Sequence, residues 1–406
     1  MSKPHITFVS PEHPFVQPFY LRGLKEAGAV ITGISAVPAS RLPADVRPLL
    51  DAVERVPGFT EPEPIAEAVR AAAKRARVER ILTTDERHVE VTARARALLG
   101  LPGVSPETAR LCRDKAAMKE ALRAAGIPVA ASSVADSAEA VRAFAEQTGY
   151  PLIIKPRGGM GSLSTYKLRD RGELDAALRQ IGPGTMLVEE FVEGHEGFLD
   201  TLTYGGEIVH EFMSHYYPDV LVAFGDRTIS PQIVTTNRVD AEGYEEVRTL
   251  ARQVQRVLGI DETPTHMEWF FGPRGLKISE IAVRPAGDRI WDLYCGANET
   301  SVYREWGHLE LFGRPSTRMS RKYSAGLVQV RPDRDGKVLG YQGLAAVEKA
   351  CGPLIFKRQV PSRGTTTKPL QAGYIYNTWF MLRHPDYDRL REHLDFIGRT
   401  LRIRAG

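Results

Sequence analysis

The sequence predicts an α/β protein built from more than one lobe. Three observations carry this reading. Apolar strand-like runs alternate with amphipathic helices through the first hundred residues. A short apolar run, Leu152-Ile153-Ile154, leads into a lysine and a cluster of glycines. Two further strand-like runs, on either side of Pro273-Arg274-Gly275, bring several charged side chains to one face.

With 406 residues, the chain has room for two or three domains. Its 54 basic and 50 acidic residues leave a formal net charge of +4, spread without long runs, which argues against nucleic acid or a membrane surface as partner. Cys112, Cys295 and Cys351 are scattered with no metal-ligand spacing, as suits a reducing compartment. The N-terminus has no basic stretch leading into an apolar one, and no apolar run approaches the ~20 residues that span a bilayer. A cytoplasmic protein is expected.

In chain order, Ile6 to Val9 reads as a strand, Phe15 to Ala27 as a helix stopped by Gly28, and Ala29 to Ile34 as a second strand. A helix around Pro64 to Arg77, a strand at Arg80 to Thr83 and a helix from Val89 to Leu99, closed by Gly100, follow. Such alternation implies a parallel sheet with ligands at the strand C-termini, where Thr83, Thr84, Asp85 and Glu86 lie. No GxGxxG follows the first strand, so a dinucleotide fingerprint is absent. Leu111, Met118 and Leu122 share one apolar stripe and predict a helix ending at Gly126. Lys115, near the start of its second half, reads on its own as a solvated lysine.

After an amphipathic helix from Ser137 to Thr148, the strand at 152–154 ends on Lys155. Gly158, Gly159 and Gly161 come within four residues, where the backbone bends freely and exposes its N–H groups. A fixed cation beside bare amides is a seat for a polyphosphate. The stretch lacks GxxxxGK[ST], which excludes a P-loop. Ser164 to Leu168 reads as the returning strand, so the glycines cap a hairpin; a helix from Gly172 to Gln180 leads to a strand at Met186 to Val192, broken at Gly194. Residues 197–213 alternate as strands around a Gly205-Gly206 turn, residues 214–240 read as loop and short strand, and Ala241 to Leu258 is a helix ended by Gly259.

His266 to Arg284 predicts a hairpin. A three-residue loop, Pro273-Arg274-Gly275, with Gly275 left-handed, would set Gly272 opposite Leu276 and Glu268 opposite Glu280. His266, Glu268, Glu280, Ala282 and Arg284 then share a face. Like charges directly opposite one another are destabilising, so the pair calls for a counter-charge, and a hard cation is the obvious one. A solvated sheet face with ordinary Glu–Arg contacts is the plainer alternative. The last eighty residues read as strands around Ala325–Val330, Leu354–Gln359 and Tyr374–Leu382, then a helix around Tyr387–Ile397.

Taken together, the RDK lysine, IIKP with its glycine loop, LVEEFVEGHE, and HMEWF with ISEIAVRP resemble, in order and spacing, the ATP-grasp superfamily of ligases. The stretch from Arg284 to Tyr294 resembles the amino-acid and dipeptide ligase branch, and the last eighty residues resemble the C-terminal lobe of the biotin-carboxylase-like branch. The resemblance implies an α/β chain with α+β lobes: an ATP-grasp fold behind a Rossmann-like pre-domain. Its expected divisions are 1–105, 106–190 (with a mobile part at about 130–190), 191–320 and 321–406. ATP and Mg2+, with Mn2+ able to substitute, are the implied cofactors.

The same resemblance assigns residues. Lys115 and Lys155 match the phosphate-binding lysines, and Arg157, Gly158, Gly159, Met160, Gly161 and Ser162 the mobile loop that closes over the triphosphate. Glu189 would meet the adenine amine, the backbone of Glu190, Phe191 and Val192 the adenine edge, and Glu196 the ribose hydroxyls. Glu268 and Glu280 resemble the magnesium ligands, and Arg284 the arginine that steadies an acyl phosphate beside amides near Gly287. Glu86, His266 and Arg289 are substrate candidates; Glu86 reads equally as an exposed carboxylate at a helix start, and His266 as a packed histidine. Where the family has an asparagine ligand, this chain has Ala282.

The implied activity is amide or peptide bond formation between a small carboxylic acid and an amine through an acyl phosphate, releasing ADP and phosphate. The alternatives are a biotin-carboxylase-like activity and a nucleotide-binding protein without ligase chemistry. Homodimers are common among such lookalikes, so a homodimer is one expectation.

Overall fold

The computed structural model describes residues 3–13, 15–156, 165–181, 186–372 and 377–406. Strands β1 (His5–Val9), β2 (Val30–Ser35), β3 (Ala52–Arg55) and β4 (Val78–Leu82) form a parallel sheet in the order β3-β2-β1-β4. Helices α1 (Gln17–Glu26), α2 (Pro62–Ala73) and α3 (Val89–Leu99) accompany them, each burying one apolar face. Gly100 ends α3 in the left-handed conformation, as its position predicts. β3 had no sequence signal, because its four residues are at most half-buried and offer no apolar run.

The single helix expected over 105–127 is two: α4 (Pro106–Arg113) and α5 (Lys115–Ala124). Asp114 is extended between them, and its carboxylate accepts the N–H groups of Ala116 and Ala117 at 3.0 and 3.3 Å. An aspartate N-cap therefore starts a new helix. Lys115 becomes its first residue and is buried.

A second sheet holds β5 (Ser132–Ala135), β6 (Leu152–Pro156), β7 (Tyr166–Leu168) and β8 (Met186–Glu190), in the order β5-β8-β6-β7. Val141 and Ala145 of α6 (Ala138–Thr148) and Leu174 and Ala177 of α7 (Arg171–Ile181) pack on its apolar side. β6 and β7 pair antiparallel from Leu152 opposite Leu168, so the expected hairpin is present. Its tip, Arg157, Gly158, Gly159, Met160, Gly161 and Ser162, lies outside the described residues. β8 stops at Glu190, two residues short of the expected end.

The largest sheet collects strands from the rest of the chain: β9 (His195–Tyr204), β10 (Glu207–Tyr217), β11 (Gln232–Thr236), β12 (Thr263–Gly272), β13 (Gly275–Ala282) and β14 (Ser324–Val330). β15 (Val338–Gln342) pairs elsewhere, while β16 (Ile355–Gln359) and β17 (Thr378–His384) complete the order β13-β12-β9-β10-β11-β14-β17-β16. The terminal strand β18 (Arg402–Ala405) is the partner of β15.

Around these lie α8 (Val220–Gly225), α9 (Glu245–Val257), α10 (Ile290–Asn298), α11 (Val302–Phe312), α12 (Leu344–Cys351) and α13 (Tyr387–Thr400). Residues 214–240 are thus more ordered than expected. Their strands mix buried apolar residues, Tyr216, Ile233 and Val234, with buried polar ones, Ser214 and Thr235, hydrogen-bonded across the ladder at 2.9 Å, which blurs the hydropathy pattern. The N-terminal sheet docks through α1 on α11 so closely that a Cβ on Gly23 would sit 2.4 Å from the Tyr303 backbone. Among the described residues, no helix is long and apolar enough to cross a membrane.

Candidate active site

The hairpin β12–β13 delivers the expected carboxylate pair by a different route. Its turn is two residues, with Gly272 opposite Gly275 rather than Leu276. An extra residue at Ser279 shifts the register back, so Glu268 does face Glu280. His266 lies opposite Ala282, on the same side as Glu268.

The lysines come from α5 and β6. Lys155 Nζ lies 2.9 Å from one oxygen of the buried Glu189, and Lys119 Nζ lies 3.2 Å from the other. Lys119 also donates to the Ser279 carbonyl at 2.9 Å, tying α5 to the bulge that sets Glu280. Lys115 Nζ is 2.6 Å from Glu280. Three lysines therefore converge, one more than the sequence reading had found. Lys119 is four residues after Lys115 on the same face of α5, and that spacing was the available signal.

Burial opposes charge here, and the pairing overcomes it at Glu280, Glu189 and Lys155 but not at Lys119, which burial holds below the ordinary lysine value. Burial alone would raise the Glu280 carboxyl, but Lys115 and Lys155 hold it at about 2. Burial likewise favours neutral Lys155, yet Glu189 keeps it above the ordinary lysine value. Glu196 goes the other way: burial and the nearby Glu268 push it well above the carboxylate range. Its Oε2 accepts the Val220 N–H at 2.7 Å, and its own N–H donates to Asp219 at 3.1 Å.

His266 is braced from behind. Its Nδ1 lies 2.7 Å from Asp200 Oδ1, and Tyr294 donates its hydroxyl to Asp200 Oδ2 at 2.6 Å. Its Nε2 is 3.5 Å from Glu268. Burial would lower the imidazole, but Asp200 and Glu268 raise it to about 10, so it is a cation at neutral pH. Glu268 and Glu280 face each other on the open side of the sheet. That donor set suits a magnesium ion, which needs one or two carboxylates and takes its remaining oxygens from phosphate and water. Among the described residues, no group of three or more carboxylate, imidazole or thiol donors is assembled for a metal.

Three expectations change here. Glu86 is engaged by Arg113, and its Oε2 accepts from Arg284 Nε and Nη2 at 2.9 and 2.5 Å. It holds two arginines rather than offering a free carboxylate to a substrate amine. Arg289 turns away from the cavity, bonded to Asp292 at 2.6 Å and stacked over Phe19 at 4.4 Å. Left-handed backbone at both Asp288 and Arg289 redirects that side chain. In the adenine-edge stretch, the N–H groups of Glu190 and Phe191 already donate to Ala131 and Pro151, which moves the expected contact toward Val192. The Glu190 carboxylate is taken by Lys277, Arg274 and the Ala131 N–H.

Lys115, Lys119, Lys155, Glu189, Glu190, Phe191, Val192, Glu196, His266, Glu268, Glu280, Glu86, Arg284 and Gly287 all line one cavity of about 940 Å3. It runs between the small sheet, the large sheet and the C-terminal end of β4. Fixed cations at one wall and facing carboxylates at another suit a metal-bound polyphosphate.

Known proteins bear on this arrangement. Residues 148–292 match the ATP-grasp domain family, a segment that contains Lys155, Glu189, Glu268, Glu280 and Arg284. The chain is 26% identical over 284 residues to the L-arginine-specific L-amino acid ligase of Bacillus subtilis, covering 68% of each protein. It is 28% identical over 246 residues to the uncharacterized protein y4rH of Sinorhizobium fredii, covering 58% of this chain and 49% of that one. The chain thus spans from about half to two thirds of the length of these two relatives. The crystal structure of an L-amino acid ligase from Bacillus licheniformis superposes with a TM-score of 0.76 at 18% identity, covering 100% of both chains.

Proposed function

We propose that this chain, an ATP-grasp protein by domain and by fold, is an ATP-dependent carboxylate–amine ligase that joins amino acids or similar small molecules. The observation that carries the reading is the convergence of Lys115, Lys119 and Lys155 with Glu268 and Glu280 in one cavity that also holds Arg284. The relative named as an L-amino acid ligase supports it.

ATP would lie with its adenine between Glu189 and Val192, its ribose toward Glu196, and its phosphates against Lys115 and Lys155. Glu268 and Glu280 would hold Mg2+, which when bound neutralises charge on the phosphates. Lys155 and Lys115 then keep the transferring phosphoryl group in line with the acceptor. The acid's carboxylate oxygen attacks the γ-phosphorus, the bond to ADP breaks, and an acyl phosphate forms. Arg284, oriented by Glu86 and its own contact to the Pro285 carbonyl at 2.7 Å, would steady that intermediate. An amine attacks the acyl carbon, the carbon–oxygen bond to phosphate breaks, and phosphate leaves as the amine loses its proton. His266, braced by Asp200, lies beside Glu268 and opposite Ala282, where the family has an asparagine ligand.

The test is product analysis with pairs of amino acids. ADP and phosphate should appear in equal amounts with an amide of the summed mass less water. AMP with pyrophosphate would reject the mechanism, ATP cleavage stimulated by bicarbonate alone would favour carboxylation, and tight ATP binding with no turnover would favour a non-catalytic role.

A further inference from the structure

Resting on the ligase reading above, we infer that the acid activated by this protein carries an uncharged, apolar side chain, seated on Tyr216 and Ile233. The large sheet places this seat beside the reacting groups. Residues directly opposite one another in a sheet share a face. Glu280 is opposite Glu268, Glu268 is opposite Phe198, and Phe198 is opposite Ser214. Tyr216 is two residues after Ser214 and is opposite Ile233. One face therefore passes across five strands, from the paired carboxylates to an aromatic ring and an isoleucine. Phe198 joins the two regions, its ring centroid 4.9 Å from both Tyr216 and His266.

Three other elements close the seat. Val220 reaches it from α8, which is fixed by the Val220 N–H bond to Glu196. Tyr20 comes from α1, with its hydroxyl donating to the Ala286 carbonyl at 3.5 Å, and Ile290 opens α10. Tyr20, Tyr216, Val220, Ile233, Ala286 and Ile290 line the cavity and belong to one contiguous apolar cluster. Tyr20 and Ala286 put that cluster against the stretch that runs from Arg284 to Gly287. A carboxyl group held by Arg284 thus projects its substituent onto apolar atoms. Three charged groups that line the cavity near Arg284 are already paired: Glu86 with Arg113 and Arg284, Asp85 with Arg87, and His266 with Asp200. Against these apolar side chains a charged substituent would lose its water without gaining a partner from them.

The experiment measures kcat/KM for ADP release by the full chain with Mg-ATP, using alanine methyl ester as amine because its carboxyl is blocked. Leucine, methionine and phenylalanine are compared with aspartate, lysine and arginine as the acid. The apolar acids should be favoured by about 10- to 100-fold, as expected for a hydrophobic pocket. Ile233→Thr should lower kcat/KM for leucine about tenfold and leave ADP affinity unchanged. If that variant does not fold, the comparison of acids in the unmodified protein still decides. Equal or better use of aspartate, lysine or arginine, or an Ile233→Thr protein that uses leucine undiminished, overturns the inference and leaves the ligase reading intact. No ADP release with any pair overturns both.

Discussion

Lys155→Ala is expected to reduce substrate-dependent ADP release by about 100- to 1,000-fold, the usual effect of removing one preorganised charge from a phosphoryl-transfer site. The lysine is the next-to-last residue of β6, is buried, and lies 2.9 Å from Glu189. Replacing it removes a cation from the phosphate wall and leaves Glu189 to Lys119 alone. Because Lys119 stays 3.2 Å from that carboxylate, the folded state should lose only about 1–3 kcal/mol, in the range of one charge-assisted hydrogen bond. Activity and stability therefore separate: turnover collapses while urea unfolding shifts modestly. A variant with near-normal turnover would remove Lys155 from the chemistry.

Glu280→Gln should act through the metal instead. The amide keeps the size of the side chain and can still accept from Lys115, so the 2.6 Å contact has a neutral replacement. The charge that would hold Mg2+ is gone. The Mg2+ concentration for half-maximal turnover should rise by about 10- to 100-fold, as for other losses around a metal site. Metal-free ADP binding, followed by calorimetry, should change little. An unaltered magnesium requirement would show that Glu280 serves Lys115 rather than a metal.

Much of this site was legible in the chain because its chemistry lies on regular elements. A strand running into a lysine pointed to Lys155 and a two-strand hairpin to Glu268 and Glu280, whereas Lys115 read as a solvated helix lysine and was singled out only by the resemblance, because the Asp114 cap that begins α5 was not recognised. The hairpin shows how the pairing survived a wrong turn. The loop is one residue shorter than expected and the bulge at Ser279 restores the register, which no local pattern announces. Lys119 escaped notice since a helix lysine at i+4 normally reads as solvated, and only the packing of α5 against Ser279 buries it. β11 could be read only as an unplaced short strand, because its two apolar residues, Ile233 and Val234, sit among Gln232, Thr235 and Thr236. Arg289 was misjudged for a backbone reason: two successive left-handed residues turn its side chain toward Asp292 and Phe19. Glu86 could be placed at a strand end from sequence, but its two arginine partners are 27 and 198 residues away.

The acyl phosphate is the central claim, and oxygen transfer tests it most directly. Turnover with an acid labelled with 18O in both carboxylate oxygens, followed by mass spectrometry of the inorganic phosphate, follows the atom that attacks the γ-phosphorus. One labelled oxygen should pass to phosphate for each amide formed. Label recovered in AMP, or phosphate that carries none while amide accumulates, would contradict it.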